Sequence, residues 1–335
     1  MKILLVCNYR KGVGGISGQV ELLQRGLTAE GITADIFSTK GSVLRRLSLL
    51  RRLMRRSKDY DVLHIHCCSS WGFLPAVVGV HCGKRLGKRT VVTYHGGGAE
   101  RFFAKHERLV RHYLCKSDCN IVLSGFLAEI FERHEIPCTI IPNIIAMGEG
   151  QFRLRERLLP RYICIRSHEP LYNVPCILRA FQRVQKQLPE ASLTLVGDGS
   201  QHKELVQMVD SMMLNNVTFT GRVDNEAIYG QLDKADIMLS APTVDNMPVS
   251  LIEGMNAGLL VISSRVGGVP FMVKNGGNGL LFESDNDREL AERMLWAVSN
   301  QTLAKALILQ ARKTADKYQW GHIKDLIHKA YGISA

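Results

Sequence analysis

The sequence lacks any run of about 18 apolar residues, so no membrane-spanning helix is expected from it. No low-complexity tract and no tandem repeat of solenoid length interrupts it, which argues against disordered and repeat architectures. Its nine cysteines are an odd number and contain no Cys-x-x-Cys pair, which argues against zinc and thioredoxin-type sites. Cys67 and Cys68 are adjacent, and the spacing of Cys115 and Cys119 suits one helix face, yet the set reads as free thiols of a reducing cytoplasm. The opening "MKILLVCNYRKG" has too brief an apolar run for a signal-peptide core, and no small-residue cleavage site follows. It reads as a buried first strand.

Basic charge, by contrast, is in excess, with a formal net charge of +12. Residues 1–150 hold 22 Lys+Arg against 12 Asp+Glu, whereas residues 151–335 hold 21 against 19. The first half therefore carries nearly all the surplus. A basic face attracts polyanions: nucleic acid, anionic lipid or a phosphorylated substrate.

The length, 335 residues, suits two domains or one large one. Short apolar runs alternate with helical patterns. "KILLVC", "TADIFST", "VLHIHCC", "TVVTYHGG" and "CNIVLS" are separated by helical segments, the first at about 17–30. "RYICIRS", "ASLTLVGDGS", "NVTFTGRV", "ADIMLSAP" and "LLVISS" repeat the scheme, with a helix at about 174–188 after the first of them. Such alternation argues for parallel strands joined by crossover helices. The seam between the halves falls in "IPNIIAMGEGQFRLRERLLPRY", whose glycines and charges suit a linker. The last segment, from "TLAKALILQ" onward, reads as helical.

Several strands end in small residues, where open α/β sheets bind ligands. "KGVGGISGQV" follows the first strand and opens a helix. Gly14 and Gly15 allow a phosphate close to the backbone, although a plain tight turn fits equally well. The dinucleotide fingerprint is imperfect there, and Asp35 lies inside the second strand instead of at its end, so an NAD site is disfavoured. His95 ends a strand before three glycines. His64 and His66 share one strand face, without an evident third metal ligand. In "LVGDGS", Ser200 suits a helix cap or an anion contact.

The stretch "VDNMPVSLIEGMNAG" holds two acids eight positions apart, Asp245 and Glu253. Pro248 suits a first helical turn and Gly258 a C-terminal cap. Val249, Ile252 and Met255 form an apolar stripe. Asp245 suits a cap, but Glu253 neighbours Ile252 in an apolar region and needs a partner there. Sugar or ribose hydroxyls are suitable donors. A metal fits less well, because no third ligand accompanies the pair.

With "DYDVLHIH", "TYHGG", "IPN", "LVGDG", "VTFTGRV", "KADIML" and the late Tyr318 and Trp320 in order, this Asp-x7-Glu segment and its trailing "VISSRVGGVPFMVKNGGNGLLF" resemble the retaining family-4 glycosyltransferases. The resemblance implies an α/β protein of the GT-B fold, two Rossmann-like doubly wound domains facing across a cleft. Residues 1–147 would form the acceptor domain and 148–312 the nucleotide-sugar domain, with 313–335 a terminal helix crossing back to the first. It implies that Glu253 binds ribose hydroxyls and Asp245 the donor sugar, and that amides around Met247, Pro248 and Val249 hold the diphosphate or sugar. It implies further that Arg166, helped by Gly14 and Gly15, neutralises the diphosphate. His95 would sit near donor sugar and acceptor, and Arg222 and Val223 near the base. No metal and no cofactor are implied; the nucleotide sugar is a substrate, a UDP-sugar in preference to a GDP-sugar. Three departures stand out: Asp245 in place of Glu, Phe271 where an acid is usual, and "IRSHEPLYNV", which keeps Arg166 but lacks the usual lysine, with Tyr172 and Asn173 nearby.

The segment 44–58, "LRRLSLLRRLMRRSK", reads as a basic amphipathic helix with Leu47, Leu50, Leu53 and Met54 on one arc and Arg45, Arg51, Arg52, Arg55 and Arg56 opposite. One face suits packing on a sheet and the other an anionic membrane surface. Nucleic acid is disfavoured, since no aromatics interleave the arginines. The expected activity is transfer of a sugar from a nucleotide sugar to a glycan or lipid-linked acceptor, at the inner face of the cell membrane. An epimerase on the same fold and a non-catalytic subunit are the alternatives.

Overall fold

The computed structural model describes residues 1–11, 15–41, 48–145, 152–224 and 227–333. The chain divides into two units, Met1–Ala146 with Gln319–Ala335, and Met147–Tyr318. In unit 1 the order is β1 (Lys2–Cys7), α1 (Ile16–Ala29), β2 (Thr33–Ser38), α2 (Leu49–Ser57), β3 (Val62–Cys67), α3 (Leu74–Leu86), β4 (Arg89–Tyr94), α4 (Ala99–Leu114), β5 (Cys119–Val122), α5 (Gly125–Arg133) and β6 (Thr139–Ile140). The described strands pair in parallel in the order β2-β1-β3-β4-β5-β6. All six residues of β3 are buried, as a parallel strand covered by helices on both sides requires.

Unit 2 repeats the architecture. It runs β7 (Arg161–Ile165), α6 (Val174–Gln185), β8 (Ser192–Val196), α7 (His202–Ser211), β9 (Val217–Gly221), α8 (Ile228–Asp233), β10 (Ile237–Ser240), α9 (Val249–Ala257), β11 (Leu260–Ser264), α10 (Val269–Met272), β12 (Leu280–Phe282), α11 (Asp287–Ser299) and α12 (Gln301–Asp316). The parallel order is β12-β11-β10-β7-β8-β9. Each unit has its own apolar core, centred on Leu63, Ile65, Tyr94 and Phe131 in unit 1 and on Tyr162, Phe181, Leu193 and Leu239 in unit 2.

The last helix, α13 (Trp320–Tyr331), belongs to unit 1. It is separate from α12, where the sequence suggested one helical segment. Its Trp320 ring lies against Gly26 of α1, where an added Cβ would come within 2.6 Å of the indole. The indole Nε1 donates to Glu30 at 3.1 Å, and Arg89 Nε donates to the Ala330 carbonyl at 2.9 Å.

Two sequence expectations need correction. The charge of the seam suited a linker, but Arg155 within it is 3% exposed. Its guanidinium donates to the carbonyls of Ala257 and Gly258 at the end of α9, and of Leu232 and Ala235 at the end of α8. Carbonyls at helix ends lack intrahelical partners, and a planar five-donor group satisfies several at once. The second correction concerns α2, where residues 42–47, including Arg45 and Leu47, lie outside the described residues. Its buried stripe is Leu49, Leu53 and Ser57, at i, i+4 and i+8, whereas Leu50 is 39% exposed. Arg51 and Arg55 are exposed; Arg52 lies over the Phe37 ring, and Arg56 over Tyr60 with a 3.2 Å ion pair to Asp35.

Candidate active site

In an open parallel sheet the ligand crevice forms beyond the strand C-termini where the strand order reverses. In unit 2 that point lies between β7 and β10. Arg166 directly follows β7, and Asp245 lies in the loop after β10. The fold thus brings together two residues 79 positions apart in sequence. The Arg166 guanidinium approaches Asp245 Oδ2 at 2.8 Å without the alignment of a hydrogen bond, lies 3.3 Å from Ser240 Oγ, and stacks 5.0 Å over the Tyr172 ring. Its backbone is fixed by the loop after β8. Gly197 has φ 142°, and a Cβ there would come within 2.0 Å of the Arg166 carbonyl oxygen.

Asp245 does not cap α9. The N-cap position belongs to Pro248, without a side-chain cap bond, so the helix begins one residue later than a proline in its first turn implies. Asp245 Oδ1 instead accepts the Asn246 N–H at 2.8 Å, and its carbonyl accepts Gly268 N–H at 3.0 Å, tying down the glycine turn before α10. Met247 and Pro248 are buried and Val249 is half-buried, so the apolar stripe consists of Ile252 and Met255. The first amides of a helix lack intrahelical acceptors and favour negative charge. Ser250 beside them is 8% exposed, and its Oγ has no hydrogen-bond partner among the described residues. Glu253 is half-buried one turn further on. Gly258 closes the helix with φ 81°. Arg222 is exposed and Val223 half-buried just beyond β9. Ser200 is not the cap of α7; its N–H and hydroxyl both donate to Glu169, which fastens the loop after β8 to the one after β7.

In unit 1 the order reverses between β1 and β3. Gly15 follows β1 with φ 69°, a conformation that favours glycine, while Gly14 lies outside the described residues. Parity along β3 and β4 puts His64, His66, Thr93 and His95 on one sheet face. His64 bonds the Tyr331 hydroxyl of α13 and Thr93 Oγ1, each at 2.7 Å. His66 Nδ1 lies 3.0 Å from His95 Nε2. The three imidazoles line a small cavity of about 30 Å³ with Gln19 and Asn143. Burial lowers the pKa of all three: His64 falls to about 3, His95 to about 4, and His66 well below its ordinary value. The cluster is therefore neutral at neutral pH. Among the described residues no group of three or more potential ligands is arranged to hold a metal.

Sequence reasoning singled out His95, Arg166, Asp245 and Glu253 but missed Ser240, Ser250 and the His66–His95 contact. The alternating "HIH" was the available signal for the last. Nothing in the sequence shows which strands are neighbours.

The family model of the group 1 glycosyl transferases matches residues 159–314, and that of glycosyltransferase family 4 matches residues 13–148. The chain is 22% identical to an uncharacterized glycosyltransferase of Methanocaldococcus jannaschii, over 99% of this chain and 98% of the relative. It is 29% identical to the GalNAc-alpha-(1->4)-GalNAc-alpha-(1->3)-diNAcBac-PP-undecaprenol alpha-1,4-N-acetyl-D-galactosaminyltransferase of Campylobacter jejuni, over 46% of this chain and 42% of the relative. The crystal structure of Anabaena HepE in complex with UDP-glucose superposes with a TM-score of 0.80 at 18% identity, covering 99% of each chain. The two family matches support a group 1 glycosyltransferase, and the structural likeness fits the GT-B fold.

Proposed function

We propose that this chain, a glycosyltransferase enzyme of the GT-B fold, transfers a sugar from a nucleotide diphosphate sugar with retention of anomeric configuration. The observation that carries the reading is the Arg166–Asp245 pair at the strand-order reversal of unit 2, beside the N-terminus of α9. In this reading unit 2 binds the donor. Glu253 accepts the ribose hydroxyls, and the amides around Met247, Pro248 and Val249 with Arg166 stabilise the diphosphate, helped by Gly14 and Gly15. Arg222 and Val223 contact the base. Asp245 contacts the donor sugar, and His95 a sugar hydroxyl.

The chemistry asks little acid/base work of the protein. As the C1–oxygen bond to the diphosphate breaks, the anomeric carbon becomes oxocarbenium-like and negative charge collects on the leaving group. A fixed guanidinium and helix-end amides stabilise that charge without reorganising. The acceptor oxygen bonds C1 on the same face, and its proton passes to the departing phosphate. The family's usual lysine is absent, and Tyr172 under the Arg166 guanidinium holds that one cation in position.

The donor is a UDP-sugar in this reading, as in the Anabaena neighbour's complex, and the acceptor is a lipid-linked saccharide, the kind named for the Campylobacter relative. A lipid-linked acceptor requires work at a membrane surface, and the exposed Arg51 and Arg55 of α2 suit contact with anionic lipid there. Thermal-shift measurements across UDP- and GDP-sugars test the donor. Stabilisation by UDP-sugars is expected, and no shift with any of them contradicts the reading. NMR of the product tests retention, since an inverted anomeric centre excludes this mechanism. Sedimentation with anionic and neutral vesicles tests the surface, with binding expected only to the anionic ones.

A further inference from the structure

The three imidazoles of unit 1 do more than pack. His66 is 4% exposed, and its Nδ1 lies 3.0 Å from His95 Nε2. Its other nitrogen, Nε2, is buried with no hydrogen-bond partner among the described residues. Two neutral imidazoles share one hydrogen-bonding proton between them, so only two arrangements are possible. If His95 Nε2–H donates, His66 carries its proton on Nε2, and that N–H is buried without an acceptor. If His66 Nδ1–H donates, His66 Nε2 is a bare lone pair. A buried N–H without an acceptor is rarer and costlier than an unfilled lone pair. The second arrangement therefore prevails, and it leaves His95 with its proton on Nδ1.

We infer that His66 is a positioning residue that fixes His95 as a neutral hydrogen-bond donor through Nδ1, so that His95 serves a substrate sugar by donating to an oxygen and not by taking a proton. His95 is only half-buried and lies at the C-terminal end of β4, where a ligand of this sheet is reached. His64 completes the device. Both its nitrogens are occupied, by Thr93 and by Tyr331 of the terminal helix, and its ring lies 4.2 Å from the His66 ring at 31°. It holds the plane of His66 while offering it no hydrogen bond. Burial keeps all three rings neutral, so a doubly protonated His95 does not compete with the fixed tautomer.

The substrate role rests on the proposed glycosyl transfer, whereas the tautomer does not, so the test has two arms. In the first, the full chain is labelled with 15N-histidine and studied at pH 7 by long-range proton–nitrogen correlation, the His95 signals being identified by their loss in His95→Gln. His95 is expected in a single Nδ1–H form. In His66→Leu it should become a mixture of both tautomers. His66→Asn, whose amide reaches the place of Nδ1, should restore the single form. An Nε2–H form in the wild-type chain overturns the inference even if every variant misfolds, and so does an unchanged tautomer in a folded His66→Leu. The second arm measures turnover of UDP-glucose and a panel of other UDP-sugars. His66→Leu should lower kcat about 10-fold at little change in donor KM, with recovery in His66→Asn. A shifted tautomer with unaltered turnover supports the His66–His95 assignment and contradicts the role of His95 in transfer.

Discussion

At the scale of single residues, the two acids of the α9 region have separate tasks. Asp245 is committed to Arg166, Asn246 and Gly268, and Glu253 lies half-buried on the helix one turn on. Glu253→Ala should weaken nucleotide-sugar binding by roughly 10- to 100-fold, the loss of charge-assisted hydrogen bonds, as read by calorimetric titration. Asp245→Ala should act in the other direction on the two parameters. Turnover falls, while affinity for the free nucleoside diphosphate is kept or rises, because Arg166 is released from its carboxylate. The histidines give a pH prediction. An unfolded histidine takes up a proton near pH 6.5, but folded His64 and His95 refuse it until about 3 and about 4. The unfolded chain thus binds more protons below pH 6.5, and stability falls as pH is lowered from there. The urea midpoint, followed by far-UV circular dichroism, should decline between pH 6.5 and about 5, above the range of ordinary carboxylates. A flat midpoint there contradicts the buried neutral cluster.

At the scale of elements, α9 is pinned at both ends. Its N-terminus meets the loop that carries Asp245, and its C-terminus is clasped by Arg155. Arg155→Met removes a buried cation but strands several carbonyls, so a loss of about 3–5 kcal/mol is expected in denaturant unfolding. The loop after β8 is under an equally tight constraint. Gly197→Ala adds a carbon where the Arg166 carbonyl oxygen already stands and forces φ 142° on a residue with a side chain. It should displace Arg166 and abolish the thermal shift given by nucleotide sugars, while Gly230→Ala, at an open position, should leave that shift intact.

At the scale of the whole molecule, the chain leaves unit 1, builds unit 2 and returns. The returning α13 supplies Trp320, Ile323, Ile327 and Tyr331 as buried residues, and Tyr331 reaches the His64 side chain. Unit 1 expressed without Gln319–Ala335 should therefore lose its cooperative unfolding transition. Unit 2, Met147–Tyr318, contains its own sheet and core and should fold alone and still bind nucleotide, as circular dichroism and thermal shift will show.

Local chemistry was legible in the sequence. Strand–helix alternation, the glycine at the end of α9 and the acids flanking its start follow from periodicity and from the conformations that Gly and Pro permit, which act over a few residues. What a residue touches across the fold was not legible. Arg155 looked like linker charge until two helix ends were found around it. Asp245 looked like a cap until Arg166, 79 residues earlier in sequence and just past the end of β7, was found beside it. His66 and His95 looked like separate strand histidines until β3 and β4 were found paired. Periodicity says which way a side chain faces, but only strand order says what it faces. Strand order depends on how the whole apolar surface is buried, and no short stretch of sequence contains that information.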